Sequence, residues 1–208
     1  MIKRGLLGIV ALMLVSGSAI AQMAFVEGQD YKTISPAVKT SQSDKVVVTE
    51  IFWYGCPHCF RFEPYVERWS AQLPETVVFE QVPSALNPRW TEHARAYYAF
   101  KMMNVLDQTH KAFFDAIHLK RRRLNSVDTI AEFVAELGLD EKAFRENYFS
   151  FPVETLIRKN GQKEKRYGHG GVPAVIVNGK YLASASMAGS NERLIEVINF
   201  LVAQELEK

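Results

Sequence analysis

Cysteine is scarce in this sequence, with only Cys56 and Cys59 among 208 residues. A disulfide between them would enclose two residues, so it would restrict the unfolded chain little and be a poor structural staple. The pair is better explained as a reactive dithiol. A structural zinc site needs four ligands, and the sequence has no second Cys pair and no H-x3–5-H pair. His58 and His169 could join such a site only through the fold, and we therefore predict no metal.

The sequence also lacks a strong excess of one charge and an apolar run of transmembrane length. There are 25 Lys and Arg against 23 Asp and Glu, and two of the basic residues are Lys3 and Arg4 at the N-terminus. The rest of the chain therefore carries 23 residues of each sign. This balance argues against nucleic acid or an anionic membrane as an electrostatic partner. The apolar run at residues 6–15 is too short to span a bilayer.

The first 21 residues have the features of a cleaved signal peptide. Lys3 and Arg4 precede the apolar run, and small residues then lead to an A-x-A site that ends at Ala21. We expect cleavage after Ala21 and export of the protein. Removal of 21 of the 208 residues leaves 187, enough for one well-buried domain or for a domain with an insertion.

Hydrophobic patterns predict a β-α-β unit in the first part of the mature chain. Residues 45–53 (KVVVTEIFW) are rich in β-branched and aromatic residues, which predicts a central strand covered on both faces. Residues 56–73 have helical spacing and contain Pro64, and residues 76–82 form a second predicted strand. A helical crossover implies that the two strands are parallel neighbours. A short strand is also predicted at residues 30–34.

The second part of the chain is predicted to be helical before it returns to strands. Five consecutive helices between strands predict an inserted subdomain, at residues 88–104, 107–120, 126–138, 140–149 and 153–167. The basic run at residues 120–123 (KRRR) is interpreted as a solvated helix end, where cations complement the helix dipole. Asn178-Gly179 favours a type I′ turn, which predicts a hairpin of residues 174–177 and 180–183. Residues 191–206 form a final predicted helix.

The Cys-x-x-Cys pair lies where the central strand gives way to a helix. With Cys56 as the N-cap and Pro57 as the first helical residue, the Cys56 sulfur lies near the unpaired amides of His58 and Cys59. A thiolate there is stabilised by those amides and by the helix dipole. We therefore predict that Cys56 is an exposed, acidic nucleophile and that Cys59, one turn later, is a more buried resolving thiol. His58, when protonated, would add a positive charge beside the sulfur.

Several motifs together resemble the DsbA family of periplasmic thiol:disulfide oxidases. They are F-W-Y-G before C-P-H-C, F-E-P soon after it, and a late G-V-P before a hairpin. The resemblance covers essentially the whole mature chain and implies an α/β, thioredoxin-like fold with an inserted all-helical subdomain. It implies a division into a signal peptide, the first half of the thioredoxin-like domain, the helical insertion and the second half, at residues 1–21, 22–86, 87–160 and 161–208.

The resemblance also implies roles for individual residues. Cys56 would attack and Cys59 would resolve, while Val172-Pro173 would be a cis peptide facing them. The backbone of Val172 could then pair with an extended client strand. His169, just before this loop, is a further candidate for lining the client groove.

An acidic residue beneath the thiols is the remaining family feature. Glu50 lies six residues before Cys56 on the central strand, where burial raises the pKa of a carboxyl group. The family implies that this acid relays the proton of the resolving thiol. Relatives often carry a basic residue near it, and we expect Glu80 to occupy that place here. Two nearby carboxylates would disfavour double ionisation.

The expected activity is donation of the Cys56-Cys59 disulfide to newly exported proteins in the periplasm, through a mixed disulfide at Cys56. The family implies a monomer without a bound cofactor that is reoxidised by a quinone-linked membrane protein of the DsbB type. A disulfide isomerase or reductase is one alternative, although the 23 residues between the cleavage site and the first strong strand are too few for a dimerisation domain. A chaperone-like binder of unfolded chains is another.

Overall fold

A mixed five-stranded sheet forms the centre of the molecule, described here for residues 25–208 of a computed structural model. The predicted signal peptide lies outside these residues. The sheet has the order β1-β5-β4-β2-β3, in which only β2 and β3 are parallel. The strands are β1 Tyr31–Thr33, β2 Val46–Phe52, β3 Val77–Pro83, β4 Ala174–Val177 and β5 Tyr181–Ala183. Within residues 25–208, no helix is long and apolar enough to cross a membrane.

Strand β2 is the central element that leads to the cysteines. All seven of its residues are buried, as expected for a run of β-branched and aromatic residues covered on both faces. It pairs with β3 on one side and with β4 on the other. The predicted central strand and its parallel β-α-β partner are therefore confirmed.

Helix α1, Pro57–Ser70, connects the parallel strands and packs with the C-terminal helix on one face of the sheet. Its buried residues are Cys59, Phe62, Val66 and Trp69, and Pro64 lies inside it. Trp69 donates a hydrogen bond to the side-chain oxygen of Asn199 at 2.7 Å. This bond joins α1 to the last helix, whose bounds, Asn191–Leu206, agree with the prediction.

Five consecutive helices follow β3 and form the predicted helical insertion. They are α2 Pro88–Met102, α3 Leu106–His118, α4 Val127–Glu136, α5 Glu141–Tyr148 and α6 Phe151–Tyr167. Ser126 and Asp140 are N-caps whose side chains accept from backbone amides, which explains where α4 and α5 begin. The predicted division between residues 160 and 161 falls inside α6, and it stays a prediction.

The core of the insertion extends to the end of β2. The rings of Phe52 and Tyr54 lie among those of Phe113 and Phe114, with centroid distances from Tyr54 of 4.7 and 4.8 Å. The ring centroids of Phe52 and Phe114 are 5.9 Å apart. Phe52 and Tyr54, shortly before Cys56, are therefore enclosed by the helices.

The hairpin of β4 and β5 turns at Asn178 and Gly179, whose φ values of 50° and 65° are those of the predicted type I′ turn. A Cβ atom on Gly179 would lie 1.9 Å from the carbonyl oxygen of Val38, so the turn requires glycine for space as well as for conformation. A short helix, α7 Ala185–Ala188, and the long final helix α8 follow.

Candidate active site

Cys56 is the N-cap of α1 and Pro57 is its first residue, as predicted. Cys56 has an extended backbone, with φ −87° and ψ 118°, and its side chain makes no capping hydrogen bond. The thiol donates instead to the carbonyl oxygen of Val172 at 3.3 Å. The prediction of an exposed Cys56 is wrong, because the neighbouring loop leaves only 8% of the residue accessible.

The pKa of Cys56 is lowered from 9.0 to about 6. The main cause is a hydrogen bond from the Cys59 thiol, followed by the backbone amides of Cys59 and His58 and by the charge of His58. Burial opposes the shift. The protonated thiol of Cys56 can donate a hydrogen bond to Val172, whereas the thiolate can only accept hydrogen bonds. When Cys56 ionises, its sulfur therefore gains hydrogen bonds from the Cys59 thiol and from the backbone amides at the start of α1.

Cys59 has the opposite environment. It is fully buried, and burial raises its pKa strongly. Its hydrogen bond to Cys56 and the charge of Glu50 act in the same direction. Both cysteines are free thiols in this structure. The two sulfurs therefore differ in acidity, with Cys56 the better thiolate and leaving group.

The loop before β4 faces the cysteines. The Val172-Pro173 peptide bond is cis, as the family resemblance implied. Val172 lies within hydrogen-bond distance of Cys56 through its carbonyl oxygen, and among residues 25–208 its amide has no hydrogen-bond partner. This loop lines a groove of about 470 Å³ together with His58 and Met187. The backbone of Val172 is thus available at the edge of an open groove beside the thiols.

Glu50 lies on β2 and is completely buried. One carboxylate oxygen accepts a hydrogen bond from the Gln81 amide at 2.9 Å, and the other has no partner among the described residues. Burial raises the pKa of Glu50 to about 8, the charge of Glu63 adds to the shift, and the Gln81 hydrogen bond opposes it. Glu50 is therefore mostly protonated at pH 7.

The expectation that Glu80 lies beside Glu50 is wrong. In the parallel register, Glu80 is opposite Thr49 and Gln81 is opposite Glu50. Successive side chains point to opposite faces of a sheet, so Glu80 is directed away from Glu50. Glu80 instead accepts hydrogen bonds from Thr49 at 2.9 Å and Ser41 at 3.1 Å. A neutral amide, Gln81, is the partner of the buried acid.

Sequence reasoning missed a hydrogen-bonded chain that continues from Gln81. The Gln81 amide lies 3.2 Å from a carboxylate oxygen of Glu63, and Glu63 contacts His110 at 3.1 Å. The other ring nitrogen of His110 is 2.7 Å from the Tyr54 hydroxyl. Glu63 belongs to the F-E-P motif, and its place four residues after Cys59 puts both on one face of α1.

His169 lines the groove, as expected, but most of its side chain is buried against Glu164. One ring nitrogen lies 3.1 Å from Glu164, and the other lies 2.8 Å from the carbonyl oxygen of Gly171. Ser84 also donates a hydrogen bond to Glu164. His169 thus supports the loop that carries Val172 from behind.

Comparison with known proteins agrees with this geometry. Residues 47–195 match the family model described as the DSBA-like thioredoxin domain. The chain belongs to this family. It is 38% identical over 178 residues to the thiol:disulfide interchange protein DsbA of Azotobacter vinelandii, covering 86% of this chain and 83% of the relative.

Solved DsbA structures have the same fold. The crystal structure of Pseudomonas aeruginosa DsbA has a TM-score of 0.85 and 34% identity, covering 88% of this chain and 95% of that one. The oxidoreductase DsbA of Xylella fastidiosa has a TM-score of 0.83 and 29% identity, covering 88% of this chain and 98% of that one. The DsbA-family chain described here is therefore a thiol:disulfide oxidoreductase with a thioredoxin fold and a helical insertion.

Proposed function

We propose that this oxidoreductase donates its Cys56-Cys59 disulfide to newly exported proteins. A client thiolate attacks Cys56 and forms a mixed disulfide, and Cys59 leaves as a thiolate that takes up a proton. A second client thiolate then attacks the client sulfur of the mixed disulfide, and Cys56 leaves as a thiolate. The client dithiol is oxidised to a disulfide and the protein disulfide is reduced to a dithiol.

The contrast in acidity between the two cysteines is the observation that carries this proposal. The pKa of Cys56 is lowered to about 6, so its sulfur is a good leaving group at neutral pH. Burial raises the pKa of Cys59, so this sulfur is released as a strong base that must be protonated. A stabilised Cys56 thiolate favours the reduced protein and hence the transfer of its disulfide to a client.

Glu50 is the group that we assign to protonate Cys59. Its pKa of about 8 keeps it protonated at pH 7, and it lies close enough to Cys59 that its charge, when Glu50 is ionised, raises the pKa of that thiol. The Gln81 amide donates to both Glu50 and Glu63 and so holds the two carboxyl groups in place, and Glu63 contacts the partly exposed His110. His58 and Pro57 set the charge and the geometry of the first helical turn.

Val172 and Pro173 form the client platform in this proposal. The carbonyl oxygen of Val172 is already at hydrogen-bond distance from Cys56, and the amide of Val172 has no partner among the described residues. An extended client segment can pair with this amide and carbonyl through its own backbone. Recognition through main-chain atoms suits an enzyme that acts on many sequences.

The remaining assignments concern the cellular setting. We infer a periplasmic monomer whose signal peptide is removed after Ala21, with the mature chain divided at residues 86/87 and 160/161 as given above. A membrane partner of the DsbB type, linked to a quinone, would accept the two electrons from reduced Cys56 and Cys59. The protein itself needs no bound cofactor for this exchange, and we assign it no metal.

The redox equilibrium with glutathione, combined with oxidation of a reduced client peptide, tests the proposal. We expect stoichiometric transfer of the disulfide and a potential close to the value of about −120 mV known for DsbA, rather than the value of about −270 mV known for thioredoxin. A potential near that of thioredoxin would contradict the role of donor and favour a reductase or isomerase. Replacing Cys56 and Cys59 with Ser separates a chaperone, which would keep client binding, from an oxidase, which would lose its activity.

A further inference from the structure

The basic run at residues 120–123 is not the helix end that the sequence predicted. Helix α3 ends at His118, and the following residues fold back on it. The amide of Lys120 donates to the carbonyl oxygen of Asp115, and that of Arg122 donates to Ala116 at 2.9 Å. Arg121 has a φ of 55°, which turns the chain out of the helical direction. The run is therefore an ordered loop rather than a last helical turn.

This loop borders a hollow of about 420 Å³ next to the active site, which we call the arginine hollow. It is lined by Arg89, Arg122 and Arg123 and reaches Gly55, the residue before Cys56. Among the described residues, no Asp or Glu lines it. Arg122 is neutralised by a bidentate ion pair with Glu136, whereas Arg89 and Arg123 have no ion pair within residues 25–208.

Arg89 is held in place by aromatic rings. Its guanidinium lies 5.3 Å from the ring centre of Trp53, which stacks on Trp90 at 4.9 Å. Arg89 is in the first turn of α2, where the helix dipole disfavours a positive charge. The charge of Arg89 thus contributes nothing favourable to its own helix and is available to a ligand.

Arg123 is held by its neighbours along the loop. Arg122 before it is fixed by its backbone bond to α3 and by Glu136 on α4. Leu124 after it is buried, and its carbonyl oxygen lies 2.7 Å from a ring nitrogen of His93. An exposed arginine between two anchored residues loses less conformational entropy when it binds a ligand than one on a free loop.

We propose that the arginine hollow binds carboxylate side chains of client segments beside the client cysteine, so that acidic segments are preferred substrates. The inference rests on the proposed disulfide transfer, because it places the client sulfur at Cys56. Gly55 joins the hollow to Cys56, so a client residue a few positions from the reacting cysteine can reach Arg89 and Arg123. A recess of this volume accepts one or two side chains, which favours a peptide over the flat surface of an anionic membrane.

Matched peptides test this preference. Each peptide carries two cysteines, flanked by Glu in one version, Gln in a second and Lys in a third, and oxidation by the disulfide form is followed by stopped flow. Two partly exposed ion pairs predict a rate constant about fivefold higher for the Glu peptide than for the Gln peptide at about 50 mM salt. This ratio should fall towards one at about 500 mM salt, because ions screen exposed charges.

Charge-matched variants locate the effect. R89Q/R123Q should bring the ratio between Glu and Gln peptides to about one, whereas R89K/R123K should keep most of the preference. The control K142Q/K159Q removes the same charge from exposed positions on α5 and α6 and should leave the ratio unchanged. A ratio of one in the unmodified protein, or one that persists in R89Q/R123Q, would overturn the inference.

Two further outcomes distinguish peptide binding in the hollow from membrane binding and from a failure of disulfide transfer. If the protein binds vesicles rich in phosphatidylglycerol through Arg89 and Arg123 without any peptide preference, the hollow contacts a membrane and the inference is wrong. If the Gln peptide is not oxidised at all by the unmodified protein, the proposed disulfide transfer itself fails. The oxidation rate of the Gln peptide therefore tests the proposed disulfide transfer. The ratio of the Glu-peptide rate to the Gln-peptide rate tests carboxylate binding in the arginine hollow.

Discussion

The hydrogen bond from Cys59 should account for a large part of the acidity of Cys56, and two single substitutions test this. Cys59→Ala removes the donor, and Cys59→Ser replaces it with a hydroxyl donor at the same position. Both variants leave Cys56 as the only cysteine, so the thiolate absorbance in the far ultraviolet reports on this residue alone. The titration of this absorbance with pH gives its pKa.

The expected shift follows from the donors around the sulfur. The Cys59 thiol is the largest of the contributions that lower the pKa of Cys56 to about 6. A hydrogen bond to a charged group contributes about 1.5–3 kcal/mol, and one pKa unit is about 1.36 kcal/mol. The pKa of Cys56 should therefore rise by about 1–2 units in Cys59→Ala and stay near 6 in Cys59→Ser.

The fraction of thiolate at neutral pH makes the difference easy to measure. With a pKa of about 6, about nine-tenths of Cys56 is thiolate at pH 7, and this fraction should fall to half or less in Cys59→Ala. An unchanged pKa in Cys59→Ala would refute the reasoning, since the amides and the helix dipole would then suffice. An equal rise in both variants would show that the side-chain donor at position 59 is not the cause.

Three more predictions concern Glu50, the pH dependence of the redox potential and Gly179. Glu50→Gln removes the proposed proton donor to Cys59 and should slow oxidation of a client peptide by about 10- to 100-fold in stopped flow, while an unchanged rate would rule out the relay. Reduction of the disulfide takes up two protons at pH values below the pKa of Cys56 and one proton above it. The redox potential should therefore fall by about 59 mV per pH unit below about pH 6 and by about 30 mV per pH unit above it. A single slope across the whole pH range would contradict a lowered pKa of Cys56. Gly179→Ala places a Cβ atom 1.9 Å from the Val38 carbonyl oxygen at a residue with a positive φ, and it should lower the free energy of unfolding by about 1–3 kcal/mol. Unfolding by urea measures this effect, and Gly161→Ala, where a Cβ atom meets nothing within 4 Å, is the comparison variant.

Local patterns were sufficient for most of the fold. The buried run of β2, the helix starts at Ser126 and Asp140, and the Asn178-Gly179 turn each express a short-range physical preference, and each element lies where it was predicted. The Cys56-Pro57 helix start is of the same kind. The cis bond before Pro173 came only from the family resemblance.

The sequence could not show features that depend on contacts between distant segments. The partner of Glu50 is decided by the register of β2 against β3, and an error of one residue exchanged Gln81 for Glu80. Burial of Cys56 depends on the loop at Val172, 116 residues away. The basic run at residues 120–123 was predicted to be a helix end, because its backbone hydrogen bonds to α3 cannot be inferred from charge.

The ring of Tyr54 links the helical insertion to the redox centre. It lies two residues before Cys56, yet its neighbours Phe113 and Phe114 belong to α3, and its hydroxyl contacts His110 on the same helix. Opening of the insertion would therefore release the end of β2 and the helix start that makes Cys56 acidic. We therefore expect the helices of the insertion and the acidity of Cys56 to be lost together when these contacts break.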